Sequence, residues 1–425
     1  MRNNSANFPF GIKVSHYAEA LNWMRSPASR QSRYGLDFLN FAIGSIQTSF
    51  GTFVAFYLAD LGWTKESVGL ALATGQITGV LGQIPGGAIT DAITWKRGFA
   101  AVGILMSMVA ALVLAAAPLF GLVFAALALD GLTAAIVVPA IGAISLGLVG
   151  RRAMSARTGR NYRFAAAGIA ITAGAQGLIG SYVATNAIFF ATVFLCVLAL
   201  VALGFIKSDE IDYSRARNAE SGNGAKLQHL RHLATNRTLL YFVLCLMFFQ
   251  LADASVVPLL SENIGMSKAA SSSLQISGLI VTAQLVVMFL APWVGYLSEG
   301  YGRKPLLLLG FGFEALRSVL LAITTDYNFL LLGQLLGGVT SAIVEVLIIV
   351  IVTDLTARTG RFNLVGGAVT MLLGIASSIS IAASGFIFGA VGHLSTFLIF
   401  ACIAGLATVF AAILLPETKP AQYED

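Results

Sequence analysis

Three carboxylates sit inside long apolar stretches of the chain: Asp130, Asp253 and Glu345. At the centre of a bilayer a charged side chain costs at least ~2.5–3.5 kcal/mol, so each acid needs a partner or a task. A carboxylate so placed could take up a proton or hold a cation. Gln250 lies about one helical turn before Asp253, and Pro258 follows it, which makes that stretch polar and kinkable. Asn40 and Gln47 add hydrogen-bonding groups to the first apolar run. These six residues are the candidates for substrate or proton binding. The plain alternative is a buried acid or amide satisfied by Ser, Thr or Gln on a neighbouring helix. Glu314 and Arg317, three residues apart on one helical face, are expected to neutralise each other. Asp37, Asp60, Asp326 and Asp354 fall at the ends of apolar runs and read as interfacial.

A second group of residues lies between runs. Gly295, Glu299, Gly302, Arg303 and Lys304 form a tight polar segment, and Gly87, Asp91, Lys96 and Arg97 form a worn copy of it 208 residues earlier (295 − 87). The glycine permits close backbone approach, the acid can cap a neighbouring helix, and the cations hold the turn on one side of a membrane. Arg157, Arg160, Arg358 and Arg361 stand near the runs these acids would face and are possible gating partners.

The elements that must position these groups follow from composition. The chain is 57 % hydrophobic and 11 % charged, with 44 glycines, whereas soluble domains carry about 25 % charged residues. Taking ~20 mostly apolar residues per crossing, spans fall near 36–58, 68–90, 98–117, 119–147, 164–184 and 187–206, then 239–261, 270–297, 305–324, 327–353, 364–386 and 394–415. The organisation is a segment 1–35, a six-helix bundle 36–206, a polar central loop 207–237, a second bundle 238–415 and a tail 416–425. A short amphipathic helix is possible around Val14–Met24, and a helical piece around Ala225–Ala234. Almost every cation lies in the N-terminal segment, the even-numbered connections or the tail, leaving Lys65 and Lys268 opposite and Arg317 inside a span. Both termini and the central loop are therefore expected in the cytoplasm, in a bacterial inner membrane.

The formal charge of +6 is scattered rather than patched, so no nucleic-acid partner is indicated. Cys196, Cys245 and Cys402 all lie in apolar runs, which points to neither disulfides nor a metal site. No cofactor and no enzymatic chemistry are expected. All four histidines lie outside the spans, so a proton relay would use carboxylates.

Two further repeats keep the register of the halves. Ala156-Arg-Thr-Gly-Arg160 recurs as Ala357–Arg361 (357 − 156 = 201), and Gly131–Val137 resembles Gly338–Val344 (338 − 131 = 207). Together with the paired loop segments, this chain resembles the major facilitator superfamily (MFS) of secondary transporters. The second loop copy matches that family's motif with Glu299 in place of aspartate and Gly300 in place of a cation; the first has Ala92, Thr94 and Trp95 at three motif positions. Pro416-Glu417-Thr418-Lys419 is similar to the tail of many members.

The resemblance implies an all-α polytopic membrane protein, with twelve transmembrane helices in two pseudo-symmetric six-helix bundles around a central cavity. It implies alternating access, with Asp91 facing the start of the eleventh span and Glu299 the start of the fifth. The expected function is proton-coupled transport of a small organic solute by a monomer in the lipid bilayer, with efflux preferred. Uptake of a neutral or zwitterionic metabolite is the alternative. From another class, a non-transporting sensor or a lipid flippase would use the same scaffold. The family's fourth-span arginine would fall at Leu127, and its fifth-span antiporter signature fits only at Gly168 and Gly177.

Overall fold

The protein is seen in a computed structural model that describes residues 28–50, 53–54, 57–58, 61–116, 118–182, 186–217, 236–266 and 272–419. The first half holds α1 (Arg30–Phe50), α2 (Lys65–Ala92), α3 (Lys96–Ala116), α4 (Phe120–Val149), α5 (Met154–Tyr182) and α6 (Ala187–Gly204). In the second, α7 (Arg237–Asp253) continues after a short turn as Val256–Met266, followed by α8 (Ser272–Tyr301), α9 (Arg303–Ala322) and α10 (Tyr327–Leu355). The final helical run, Phe362–Leu414, breaks at Gly392, whose φ of 75° ends α11 (362–391) and starts α12 (393–414).

Among the described residues, nine helical runs are long and apolar enough to cross a membrane, the last of them containing both α11 and α12. The two helices outside that set, α1 and α5, carry the arginines and asparagines of an internal polar network together with one acid, Asp37. Side-chain caps start several helices: Thr64 for α2, Asn236 for α7 and Asp326 for α10. The candidate helices around Val14–Met24 and Ala225–Ala234, and Asp60, lie outside the described residues.

One apolar core belongs to the first bundle, around Leu36, Ile104, Leu114 and Phe189. A second, around Phe242, Phe311 and Leu347, also takes in Leu146, Met154 and Ala166 from α4 and α5. A third fills the far end of the second bundle around Val256, Leu321 and Phe397. The second core thus reaches across the pseudo-symmetric boundary at the face where α1 begins, called here the cation-rich face.

There the bundles touch backbone to backbone. A Cβ on Gly87 or Gly367 would overlap a main-chain carbonyl of the opposing helix in the α2–α11 pair, and one on Gly295 or Gly159 would do the same between α8 and α5. Glycine at these four positions is a condition for closing this face. The start of the central segment is docked rather than tethering freely. Asp212 donates its N–H to Gly147 O, and the single turn Tyr213–Ala216 offers Ala216 O to Asn363.

Forcing a side chain between α5 and α8 should part the bundles. In a Gly295→Val background, a cysteine replacing Ser155, which is 2 % exposed, is expected to react with an impermeant maleimide severalfold faster than in the Ser155→Cys protein alone. An unchanged rate would mean that the glycine does not hold this face shut.

Candidate functional sites: two latches and two buried charge clusters

Asp91 ends α2 buried, and its carboxylate caps the N-terminus of α11 in the other bundle. It accepts the Asn363 N–H at 3.2 Å, the Leu364 N–H at 2.8 Å and Asn363 Nδ2 at 2.8 Å. Two backbone donors that a helix start leaves unsatisfied, and the positive end of its dipole, are thereby neutralised. Lys96 is also buried and donates its ammonium to Thr90 O, closing the turn behind Asp91. Arg97 points sideways to Ser208 Oγ at 2.7 Å.

The second latch is built differently. Glu299 accepts from Ser155 Oγ at the start of α5 and from Arg303 Nη2 at 2.9 Å. Arg303 is fully buried, with Nε on Asp354 at 3.0 Å and Nη1 on Ser298 O at 2.6 Å. Glu417 caps α9, accepting the N–H groups of Arg303 at 2.8 Å and Lys304 at 3.2 Å, beside Gly302 with its φ of 95°. Lys304 Nζ reaches Ala412 O at 2.7 Å, and Lys419 Nζ binds Glu299 O. The tail is therefore stitched to the latch at both ends.

Burial alone would push the Glu417 carboxyl up, but its backbone hydrogen bonds outweigh this and lower its pKa. Because the folded value is the lower one, its stabilisation is present in full above the unfolded pKa of about 4.3. It is lost as the pH falls through the folded value.

Arg157 and Arg160, expected as gating partners, converge instead on Asp37 of α1. Arg157 Nη2 lies 2.8 Å from Asp37 Oδ1, and Arg160 Nη2 lies 2.5 Å from Oδ2. Asp37 is 1 % exposed, so the interfacial reading of it is corrected. So is that of Asp354, whose side chain is 5 % exposed against Arg303. Two arginines one helical turn apart on α5 make a carboxylate at a span end worth burying. Asn161 extends the network, accepting from Arg157 Nε at 2.7 Å and from Asn40 Nδ2 at 3.2 Å, and donating to Ser145 at 2.9 Å. Asn40, a binding candidate, is thus a buried brace between α1 and α5. Arg358 has a φ of 62° and Arg361 stands at the N-cap of α11. Both flank the segment that Asp91 caps.

Within the first bundle Asp130 accepts from Ser107 Oγ at 2.9 Å. It lines a cavity of about 40 Å³ with Gln47, Ile43, Ser107 and Thr133. Gln47 is exposed at its rim. Within the second, Arg317 Nη1 lies 2.6 Å from Asp253 and 3.1 Å from Glu314, and Nη2 reaches Gln334 Oε1 at 3.3 Å. The self-contained Glu314–Arg317 pair is therefore corrected to a triad that claims Asp253 as well. The pairing crosses from α9 to α7, and Gly337 makes the room, since a Cβ there would press on the guanidinium. Asp253 keeps a side-chain exposure of 26 %, against 3 % for Arg317 and 0 % for Glu314. Gln250, one turn away, and Glu345 on α10 are half-buried. The helix that carries Glu345, α10, also packs against α5 across the bundle boundary. A buried network of Gln176, Ser49 and Thr192 joins α5, α1 and α6, which the sequence did not point out.

The sequence matches the Major Facilitator Superfamily over residues 36–291 and over 254–425. An uncharacterized MFS-type transporter of Mycobacterium tuberculosis is 30 % identical over 390 residues, covering 90 % of this chain and 93 % of the relative. The chain belongs to the major facilitator superfamily. The MFS transporter FucP, solved in the outward conformation, superposes with a TM-score of 0.72 at 13 % identity over 90 % of this chain and 98 % of its own, which establishes the fold. The class H tetracycline resistance protein of Pasteurella multocida is 33 % identical over 144 residues, covering 32 % of this chain and 35 % of its own. As a member of this superfamily of transporters the protein is an integral, multi-pass membrane protein. Its loop motif is preserved in what it touches more than in its letters, because Asp91 and Glu299 both meet the helix starts expected of them.

Removing the guanidinium from the triad strands a carboxylate. Arg317→Met is expected to cost ~3–5 kcal/mol by leaving Glu314 buried and unpaired. Most of it should return in Glu314→Gln/Arg317→Met, read by thermal unfolding in detergent. Equal melting of wild type and Arg317→Met would contradict the triad. Glu417→Gln should cost less, about 1 kcal/mol, and should flatten the loss of stability below pH 5.

Proposed function

We propose that this MFS transporter exports an amphipathic or cationic organic solute in exchange for protons. The observation that carries this reading is the unequal exposure of the second-bundle triad. Two carboxylates share one guanidinium, and the carboxylate, not the cation, is the group left open. Glu345 on α10 and Asp130 with its rim glutamine add further acidic groups. A positively charged solute would be attracted to such a site, and a proton on Asp253 would compete with it. The partial similarity to tetracycline resistance proteins supports export.

In this reading the cation-rich face is cytoplasmic, following the distribution of Lys and Arg, in a bacterial inner membrane. Asp91 and Glu299 hold it closed in the conformation described, and release of both caps lets the bundles rock to the opposite state. The transporter works as a monomer, with the six-helix halves as its moving parts. Uptake of a neutral or zwitterionic metabolite is the second reading. It is favoured by the contact between Asp253 and Arg317, which puts both signs in one cluster. The 3 % exposure of Arg317 weighs against it.

The test uses the purified full chain in liposomes with an imposed pH gradient, followed with ethidium and a panel of amphipathic cations. Gradient-driven accumulation is expected, at least about tenfold slower in Asp253→Asn, a loss of one charge-assisted contact. In Glu345→Gln the pH dependence should shift. Transport unchanged in both variants would remove the acids from the mechanism. Movement of neutral or zwitterionic solutes alone would turn the reading to uptake.

A further inference from the structure

A cavity of about 350 Å³ opens at the cation-rich face between the start of α3 and the end of α6, away from the central site. Its walls include Trp95, Lys96, Arg97, Leu200, Ser208 and Tyr213, and among the described residues no lining side chain is acidic. Arg97 spends one N–H on Ser208 Oγ at 2.7 Å and one on Gly204 O at 3.4 Å. A guanidinium has five donors, so it retains capacity for an anion. Lys207 beside the mouth is 46 % exposed.

The nearby acids are occupied elsewhere or outside the cavity. Glu210 accepts the Ser29 N–H and faces Lys207, Asp212 caps Ser214 and Arg215, and Asp209 does not line the walls. Trp95 is 67 % and Phe205 51 % exposed at this level. The outer surfaces of α3 and α6 leading away carry Val102, Leu105, Val197 and Val201, all exposed. Aromatic side chains at the level of a cationic pocket, with an apolar surface running into the bilayer, match the two ends of a phospholipid.

We infer that this cavity binds the phosphodiester headgroup of an anionic phospholipid, with Arg97 as its principal donor and the α3–α6 surface taking the acyl chains. Lys96 links the wall of the pocket to the Asp91 turn through Thr90 O. The site stands on membrane insertion and not on the nature of the transported solute.

The full-length protein is reconstituted in phosphatidylcholine vesicles containing a minor fraction of brominated phosphatidylglycerol or, in parallel, brominated phosphatidylcholine. Bromine quenching of Trp95 fluorescence is taken as the signal lost in Trp95→Phe. Quenching by the phosphatidylglycerol is expected to exceed that by phosphatidylcholine, and Arg97→Gln should lower this preference about fivefold. Gly204→Phe keeps every charge and projects into open space at the cavity wall, so it should abolish the preference if Arg97→Gln fails to fold. Equal quenching by the two lipids, or a preference untouched in a folded Arg97→Gln or Gly204→Phe protein, overturns the proposal. Loss of the preference in millimolar inorganic phosphate, but not in chloride of equal ionic strength, would make it a soluble-phosphate site and overturn the lipid assignment.

Discussion

A carboxylate from one bundle that satisfies the helix start of the other is the interaction on which this conformation depends. At α11, Asp91 is the acceptor for two main-chain donors and one side-chain amide. The bond combines hydrogen bonding with the positive end of a helix dipole, and burial strengthens both. It has consequences for its surroundings. The carboxylate reaches α11 because Gly87 lets the two backbones nearly touch, and Lys96 is drawn inward to close the turn. An attachment made of a few directional bonds can be released as a unit, whereas a broad apolar interface yields gradually. That property suits the opening and closing proposed for this face.

The second latch reaches the same end with more parts, and the difference is physical. Glu299 meets a serine hydroxyl and also pairs with Arg303 from its own loop. Arg303 is buried at the centre of a cluster containing Glu299, Asp354 and the Ser298 carbonyl. A fully buried guanidinium needs nearly all of its donors used, and this one draws in acids from two helices. Glu417 then caps α9 at the same spot, so the last span is fastened to the loop that the latch occupies. Each latch joins the two bundles by direct hydrogen bonds; the second also carries, within its own bundle, an ion network that fastens the tail.

The spans were legible because a membrane crossing leaves a long apolar signature that no tertiary detail erases. Paired loops and the repeated Ala-Arg-Thr-Gly-Arg gave the halves, and the faces met by Asp91 and Glu299 followed from the family resemblance. The partners of the charges were not legible. Asp37 reads as interfacial at the edge of an apolar run, and only the approach of α5 to α1 shows that two arginines bury it. Glu314 and Arg317 share a helical face, so their pairing is local. Asp253 lies 64 residues away on another helix and enters through packing alone. The one usable hint was numerical: Arg317 is a lone cation among several interior acids, so it could not be assumed to serve just one. The partner of Asn40 was hidden for a similar reason, since a polar residue on an inner face looks the same in sequence whether it meets solute or another asparagine.

The two halves retain one scaffold while differing in charge at corresponding places. Thr133 Oγ1 donates to Gly103 O at 3.1 Å, and Thr340 Oγ1 donates to Gly310 O at 3.3 Å. Both members of the second bond lie 207 positions after those of the first (340 − 133 and 310 − 103). The α3–α4 and α9–α10 contacts are therefore the same joint. By that register Ser107 corresponds to Glu314, Ala110 to Arg317 and Asp130 to Gly337. In the first half an acid on the fourth helix meets a hydroxyl on the third. In the second, the fourth-helix position is emptied to glycine, and the ninth helix supplies both acid and guanidinium. The space vacated at Gly337 is where the guanidinium sits, so loss of one side chain and gain of the other are a single packing event. An arginine placed there satisfies Glu314 and still reaches Asp253, which ties α9 to α7. Among the described residues Asp130 has Ser107 as its hydrogen-bond partner and a cavity of about 40 Å³ beside it. The same joint thus became a rigid electrostatic brace in one bundle and a loosely held carboxylate in the other.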